Sequence, residues 1–209
     1  MNLDEIYNKK KSAIEKRLGE FKQMMNANDN DIFAELCFCL LTPQSKAKTC
    51  WRAIESLKKN GLLYNGNVNE IKKHLTGVRF HNNKANYIMN ARKMFTENGK
   101  IVIKEKLFGM KNVFEMRDFL VKNVKGLGMK EASHFLRNIG LFDDIAILDR
   151  HILKNLKKYS VIKEIPKSLT VKKYLEIEEK MIKFCDNKCI PMPYLDLIFW
   201  SEEAGEIFK

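Results

Sequence analysis

The sequence has no run of eighteen or more apolar residues, so no segment is long enough to cross a bilayer as a helix. Nor does it open like a secretory leader: Met1 to Lys11 is the polar start of a helix, and the expectation is an intracellular protein with no membrane partner. The five cysteines, at 37, 39, 50, 185 and 189, are odd in number in an intracellular-looking chain, which argues against a disulfide framework. Cys37, Cys39 and Cys50 are read as small core residues, and Cys185 with Cys189 lacks the second pair that a four-ligand metal site needs. No metal and no cofactor is expected. Internal repeats, low-complexity segments and long linkers are missing, and the only strand-like stretch, Ile101 to Ile103, is too short to build a sheet. Acidic residues are outnumbered: 26 Asp and Glu stand against 38 Lys and Arg, a net charge of +12 that points to a polyanionic partner.

What is present is helical spacing from end to end. Leu3, Tyr7, Lys10, Ile14, Leu18, Phe21 and Met25 step by three and four, giving a long N-terminal amphipathic helix with one cationic intrusion at Lys10. Asp31 to Leu41 is almost wholly apolar, and Thr42-Pro43 is read as ending that helix and starting the next, whose face is Ala47, Cys50, Trp51, Ile54 and Leu57. Further helices are expected near 69–75, 82–95, 151–158 and 170–185, with a last one opened by Pro193. The fold class is all α. The 209 residues can bury a substantial core, and residues 1–209 are read as one compact unit of two helical lobes with a cleft between them.

One stretch carries more than packing. Met116, Phe119 and Leu120 mark one helix face, Ala132, Phe135, Leu136 and Ile139 another, and Val124 to Lys130 lies between them with glycines at 126 and 128. This reads as helix, hairpin, helix over about 112–140. Glycines allow a tight turn whose backbone N–H groups can lie bare against a phosphate. Lys130 follows at the start of the second helix, and Asp149 comes nineteen residues later, ahead of the apolar-faced segment Ile152, Leu153, Leu156, where it suits an N-cap.

This combination resembles the helix-hairpin-helix, Gly/Pro, Asp superfamily of DNA glycosylases. The pattern Leu-Pro-Gly-Val-Gly-x-Lys is matched by Val124 to Lys130, with Lys125 in place of the proline, and Val-Asp-x-His is matched by Leu148, Asp149, Arg150 and His151. The resemblance implies a bifunctional glycosylase and AP lyase in which Lys130 attacks the sugar and Asp149 stabilises the positive charge that develops there. An amine attacks only when neutral, a form that the positive end of a helix favours. Lys125, Gly126, Leu127 and Gly128 are the expected DNA-binding turn. Leu40 to Gln44 resembles the superfamily stretch whose glutamine fills the gap left by an extruded nucleotide; a polar residue at a helix start is the alternative for Gln44. Arg79 and Lys84 are expected to contact phosphate, and His151 is expected to support the site, held by Asp196.

The superfamily's iron–sulfur members, of the endonuclease III type, carry four cysteines near the C-terminus that this chain lacks, which weakens the oxidised-pyrimidine assignment. A compact chain ending at Lys209 soon after Trp200, without an added N-terminal β-domain, looks like the archaeal and bacterial type 2 8-oxoguanine DNA glycosylases. That likeness implies a prokaryotic enzyme of cytoplasm or nucleoid, acting as a monomer on duplex DNA containing 8-oxoguanine, with Trp200 stacking on the base and Lys209 contacting it. A core aromatic is the alternative for Trp200. An oxidised-pyrimidine glycosylase and a non-catalytic helix-hairpin-helix module remain the competing functions, the second opposed by the joint presence of Lys130 and Asp149.

Overall fold

A computed structural model describes residues 2–207. Among them the chain forms α1 (Leu3–Met24), α2 (Asp29–Leu41), α3 (Ala47–Lys59), α4 (Leu62–Asn65), α5 (Val68–His74), α6 (His81–Phe95), α7 (Ile103–Phe108), α8 (Val113–Asn123), α9 (Met129–Asn138), α10 (Arg150–Lys158), α11 (Val171–Lys188) and α12 (Met192–Ala204). The fold is all α. Two two-residue strands, β1 (Thr96–Glu97) and β2 (Lys100–Ile101), pair antiparallel, and Ile103, which reads as strand in the sequence, begins α7 instead.

Two apolar cores make the two lobes. The first surrounds α2, in which every residue from Ile32 to Leu41 is buried. A helix apolar on all sides must be enclosed on all sides, and α3, α5, α6, α7, α8 and α9 supply the enclosure. Cys37, Cys39 and Cys50 lie in this core as expected. The second core brings the two ends of the chain together: Leu3, Ile6, Ile14, Leu18 and Phe21 of α1 pack with residues of α10, α11 and α12. Each such side chain, fully buried, contributes roughly 1.5–3 kcal/mol.

Helix starts follow their caps. Asn2 accepts from the Glu5 backbone N–H at 2.8 Å while Glu5 accepts from that of Asn2, a reciprocal box that sets the first turn of α1. Lys10, the intrusion in the apolar stripe of α1, is satisfied by α12, where its ammonium donates to Ser201 Oγ at 2.9 Å and pairs with Glu202.

The helix shared by both lobes is α9. Its Ala132, Phe135, Leu136 and Ile139 belong to the first core and Met129 to the second. Its last turn is bonded to helices of both lobes: Asn138 donates to Glu35 of α2 at 3.1 Å, and Arg137 Nη1 donates to Asp196 of α12 at 2.7 Å. Burial of Asp196 outweighs its Arg137 partner and pushes the carboxyl up to about 6.

Candidate active site

The hairpin between α8 and α9 is set by one glycine more than by two. Gly126 has φ +99°, and a Cβ built on it would lie 2.4 Å from Cδ2 of Tyr87 on α6. Only glycine fits there. Gly128 has φ −101° and ψ −175°, ordinary extended backbone, and a Cβ on it would meet the far end of the Glu131 side chain at 3.2 Å. Lys125, Gly126 and Gly128 are exposed, as a phosphate-binding turn requires. Leu127 corrects the expectation for its side chain, which is buried in the first core; its N–H donates to Val124 O at 3.1 Å, so it holds the turn from within.

Lys130 is the second residue of α9, and its side chain remains 24% exposed. Its ammonium sits 2.9 Å from Glu131 Oε1, while Glu131 Oε2 accepts from Gly128 N–H at 3.3 Å. Glu131 therefore ties the hairpin backbone to the lysine. The sequence carries the signal for this contact, a residue suited to N-cap with Glu three places on, and our reading of the sequence passes over it.

Asp149 caps α10 as expected. Its Oδ1 accepts from the N–H groups of His151 at 2.7 Å and Ile152 at 2.8 Å, and the residue stays half-buried. Its charge also reaches Asp196, where it adds to the effect of burial in raising that carboxyl. Asp196 is thus near Asp149, but its ion-pair partner is Arg137. The expected His151–Asp196 contact is not formed. His151 Nδ1 instead lies 3.9 Å from Glu203 on α12, which also binds Lys154.

Gln44 stands in the loop from Thr42 to Lys46 and not at a helix start; α3 begins only at Ala47. It is exposed and held at φ +54°, an uncommon conformation for a residue with a Cβ. Lys84 explains how the loop is held, and corrects its own assignment as a phosphate contact. It is buried, and its ammonium donates to Leu41 O and Pro43 O, both at 2.7 Å, and to Ser45 Oγ at 3.1 Å. Burial, and secondarily the nearby Lys130, lower the pKa of Lys84. Ser45 Oγ also accepts from the Arg79 N–H at 3.0 Å, which joins this loop to the one after α5. There Arg79 is exposed, and its guanidinium lies 5.6 Å from the ring centroid of Phe80. Phe80 is 55% exposed at φ +57°, an aromatic presented beside Arg79 in a stretch, Gly77 to Phe80, whose character matches the superfamily.

Trp200 is half-buried on α12. Lys209 lies outside the described residues. Glu206, close before it in sequence, pairs with Lys48 of α3 at 2.8 Å, which brings the C-terminal segment to the helix that follows the Gln44 loop. A surface cleft of about 950 Å³, lined by Asn28, Tyr64, Arg92 and Lys100, is at the far end of α2 from this loop and contains none of these groups. Among the described residues no helix is long and apolar enough to cross a membrane.

Lys130 at the start of α9, Asp149 at the start of α10, the exposed glycine turn and the two loops presenting Gln44, Arg79 and Phe80 are thus polar and aromatic groups left exposed or half-buried. Residues 14–190 match the family model described as 8-oxoguanine DNA glycosylase. The chain is 50% identical over 99% of its length to the 8-oxoguanine DNA glycosylase/AP lyase of Fusobacterium nucleatum, covering 96% of that protein. The corresponding Methanocaldococcus jannaschii enzyme is 38% identical, over 99% of this chain and 97% of the relative. A crystal structure of the M. jannaschii glycosylase/lyase with a 15mer DNA containing 8-oxoguanine superposes with a TM-score of 0.89 at 37% identity, covering 99% of this chain and 97% of that one. The Thermotoga maritima 8-oxoguanine DNA glycosylase gives 0.86 at 34% identity, over 99% and 96%.

Proposed function

The chain belongs to the 8-oxoguanine DNA glycosylase family, and from that premise we propose that Lys130 and Asp149 carry its reaction. It is a bifunctional DNA glycosylase and AP lyase. The observation that carries the assignment is that Lys130 stands on the first turn of α9 directly beyond the exposed hairpin glycines. A backbone phosphate held at residues 125–128 delivers its sugar to that amine.

Lys130, as the neutral amine, bonds to C1′ while the glycosidic bond breaks, and the departing base takes up a proton. The new secondary ammonium passes a proton to O4′ as the ring opens, leaving a protonated Schiff base, and loss of a C2′ proton then expels the 3′ phosphate. Asp149 faces the positive charge that builds on the sugar, its position set by the two N–H groups of α10. Gln44 fills the space left by the extruded nucleotide, and Phe80 wedges the adjacent step. Lys125, Gly126, Gly128 and Arg79 grip phosphate.

Trp200 and Lys209 read the extruded 8-oxoguanine, a role supported by the ion pair that draws the segment before Lys209 toward α3. The DNA-bound M. jannaschii relative supports DNA containing 8-oxoguanine as the substrate, and we take that DNA to be duplex. We take the working unit to be one chain, in a prokaryotic cytoplasm or nucleoid, with the site in the cleft between the lobes. The test is Asp149→Asn, which keeps a capping oxygen and removes the charge. Single-turnover excision of 8-oxoguanine is expected to fall by about 10²-fold or more, with a change in melting temperature of only a few degrees. A fully active variant removes Asp149 from the reaction.

A further inference from the structure

The segment that delivers Asp149 has neither a helix nor a sheet to hold it, although Ile145 to Leu148 are all buried. Buried backbone groups need partners, and two side chains of α11 provide them. Glu178 Oε1 accepts from the Ala146 N–H at 2.7 Å. The Tyr174 hydroxyl donates to Ala146 O at 2.6 Å and accepts from the Leu148 N–H at 3.2 Å. Asp149 N–H closes back on Ile147 O at 2.8 Å. The backbone from Ala146 to Asp149 is thereby clamped as a strand would be by its neighbour, with α11 side chains in the neighbour's place.

The clamp is rigid because its own members are fixed. Arg117 of α8 binds both oxygens of Glu178, at 2.6 and 2.9 Å, and Arg117, Tyr174 and Glu178 are almost fully buried. It also reaches the other half of the site. Ser133, one turn beyond Lys130 on α9, lies 3.4 Å from the Tyr174 hydroxyl and 3.3 Å from Arg117 Nη1. One buried network therefore touches the segment before Asp149, the helix whose first turn holds Lys130, and the first helix of the hairpin. We propose that Tyr174, anchored with Glu178, is a positioning residue that sets Asp149 relative to Lys130. The inference rests on the assignment of Lys130 and Asp149 given above. A carboxylate displaced by a fraction of an ångström from the developing charge loses much of its stabilising effect.

Tyr174→Phe keeps the ring and removes only the hydroxyl. Nicking at a preformed abasic site under single-turnover conditions is expected to slow by about tenfold, with affinity for the duplex within about twofold of the parent. In an Asp149→Asn background the same substitution is expected to have almost no further effect, because it acts through the carboxylate already removed. Ser133→Ala, which leaves the three contacts to the Ala146–Leu148 backbone in place, is expected to cost about threefold with the same loss of effect in that background, and serves if the tyrosine variant does not fold. An unchanged rate, a parallel loss of duplex affinity, or an equal slowing in both backgrounds would overturn the proposal. An Asp149→Asn enzyme as active as the parent would instead overturn the assignment of Asp149 on which it stands.

Discussion

At the scale of single residues, the amine of Lys84 shows what charge alone does not reveal. A lysine in a strongly basic chain beside an arginine reads as a phosphate contact, yet its ammonium is enclosed by Leu41 O, Pro43 O and Ser45 Oγ. The partners lie about forty residues upstream, and no local pattern brings them together. Arg79, five residues before it, remains exposed. The two should therefore separate experimentally. Arg79→Gln is expected to reduce the salt dependence of duplex binding by about one phosphate contact. Lys84→Met is expected to leave that slope unchanged while lowering stability to chemical denaturation by about 1–3 kcal/mol, because carbonyls are left without donors. A reduced salt slope in Lys84→Met would return that residue to the DNA interface. The positions of Lys130 and Asp149 are legible for the opposite reason: each is placed by a short local motif, a glycine turn in one case and a helix cap in the other.

At the scale of elements, the long helices are readable because an apolar stripe over three or more turns has an unmistakable period. The four-residue α4 and six-residue α7 are too short to show one. Their existence depends on what they close over. The hairpin is a mixed case. Its two glycines look equivalent in sequence, but only Gly126 combines a left-handed backbone with an aromatic ring where its Cβ would be. Gly126→Ala is expected to weaken binding to lesion and undamaged duplexes alike, by about tenfold, since the turn positions backbone and reads no base. Gly128→Ala is expected to stay within about twofold, as its neighbour is a movable carboxylate. Titration of both duplexes with each variant checks this, and equal losses for the two glycines would show that the hairpin is held in some other way. Tyr174 and Glu178 share the buried face of α11 by their spacing, but nothing in that spacing shows that they grip the backbone before Asp149.

At the scale of the whole molecule, α9 joins the lobes, with Glu35 bonded to Asn138 on one side and Asp196 to Arg137 on the other. Asp196 holds its proton more tightly folded, at about 6, than unfolded, near the usual aspartate value of about 4. Its contribution to stability is therefore fully present below about pH 4 and lost as the pH rises through about 6. Asp196→Asn is expected to flatten the pH dependence of unfolding between those limits, which denaturant titrations at several pH values measure; an unchanged slope would mean that Asp196 titrates normally. The net charge of +12 fits a protein that binds DNA, and its chemistry turns on one bond, between Lys130 and the sugar. Borohydride reduction during reaction with an 8-oxoguanine duplex, followed by mass analysis of the digested protein, should find the sugar remnant on Lys130. The Lys130→Gln variant should bind the duplex and give no adduct. An adduct on another residue, or undiminished trapping by Lys130→Gln, would contradict the mechanism.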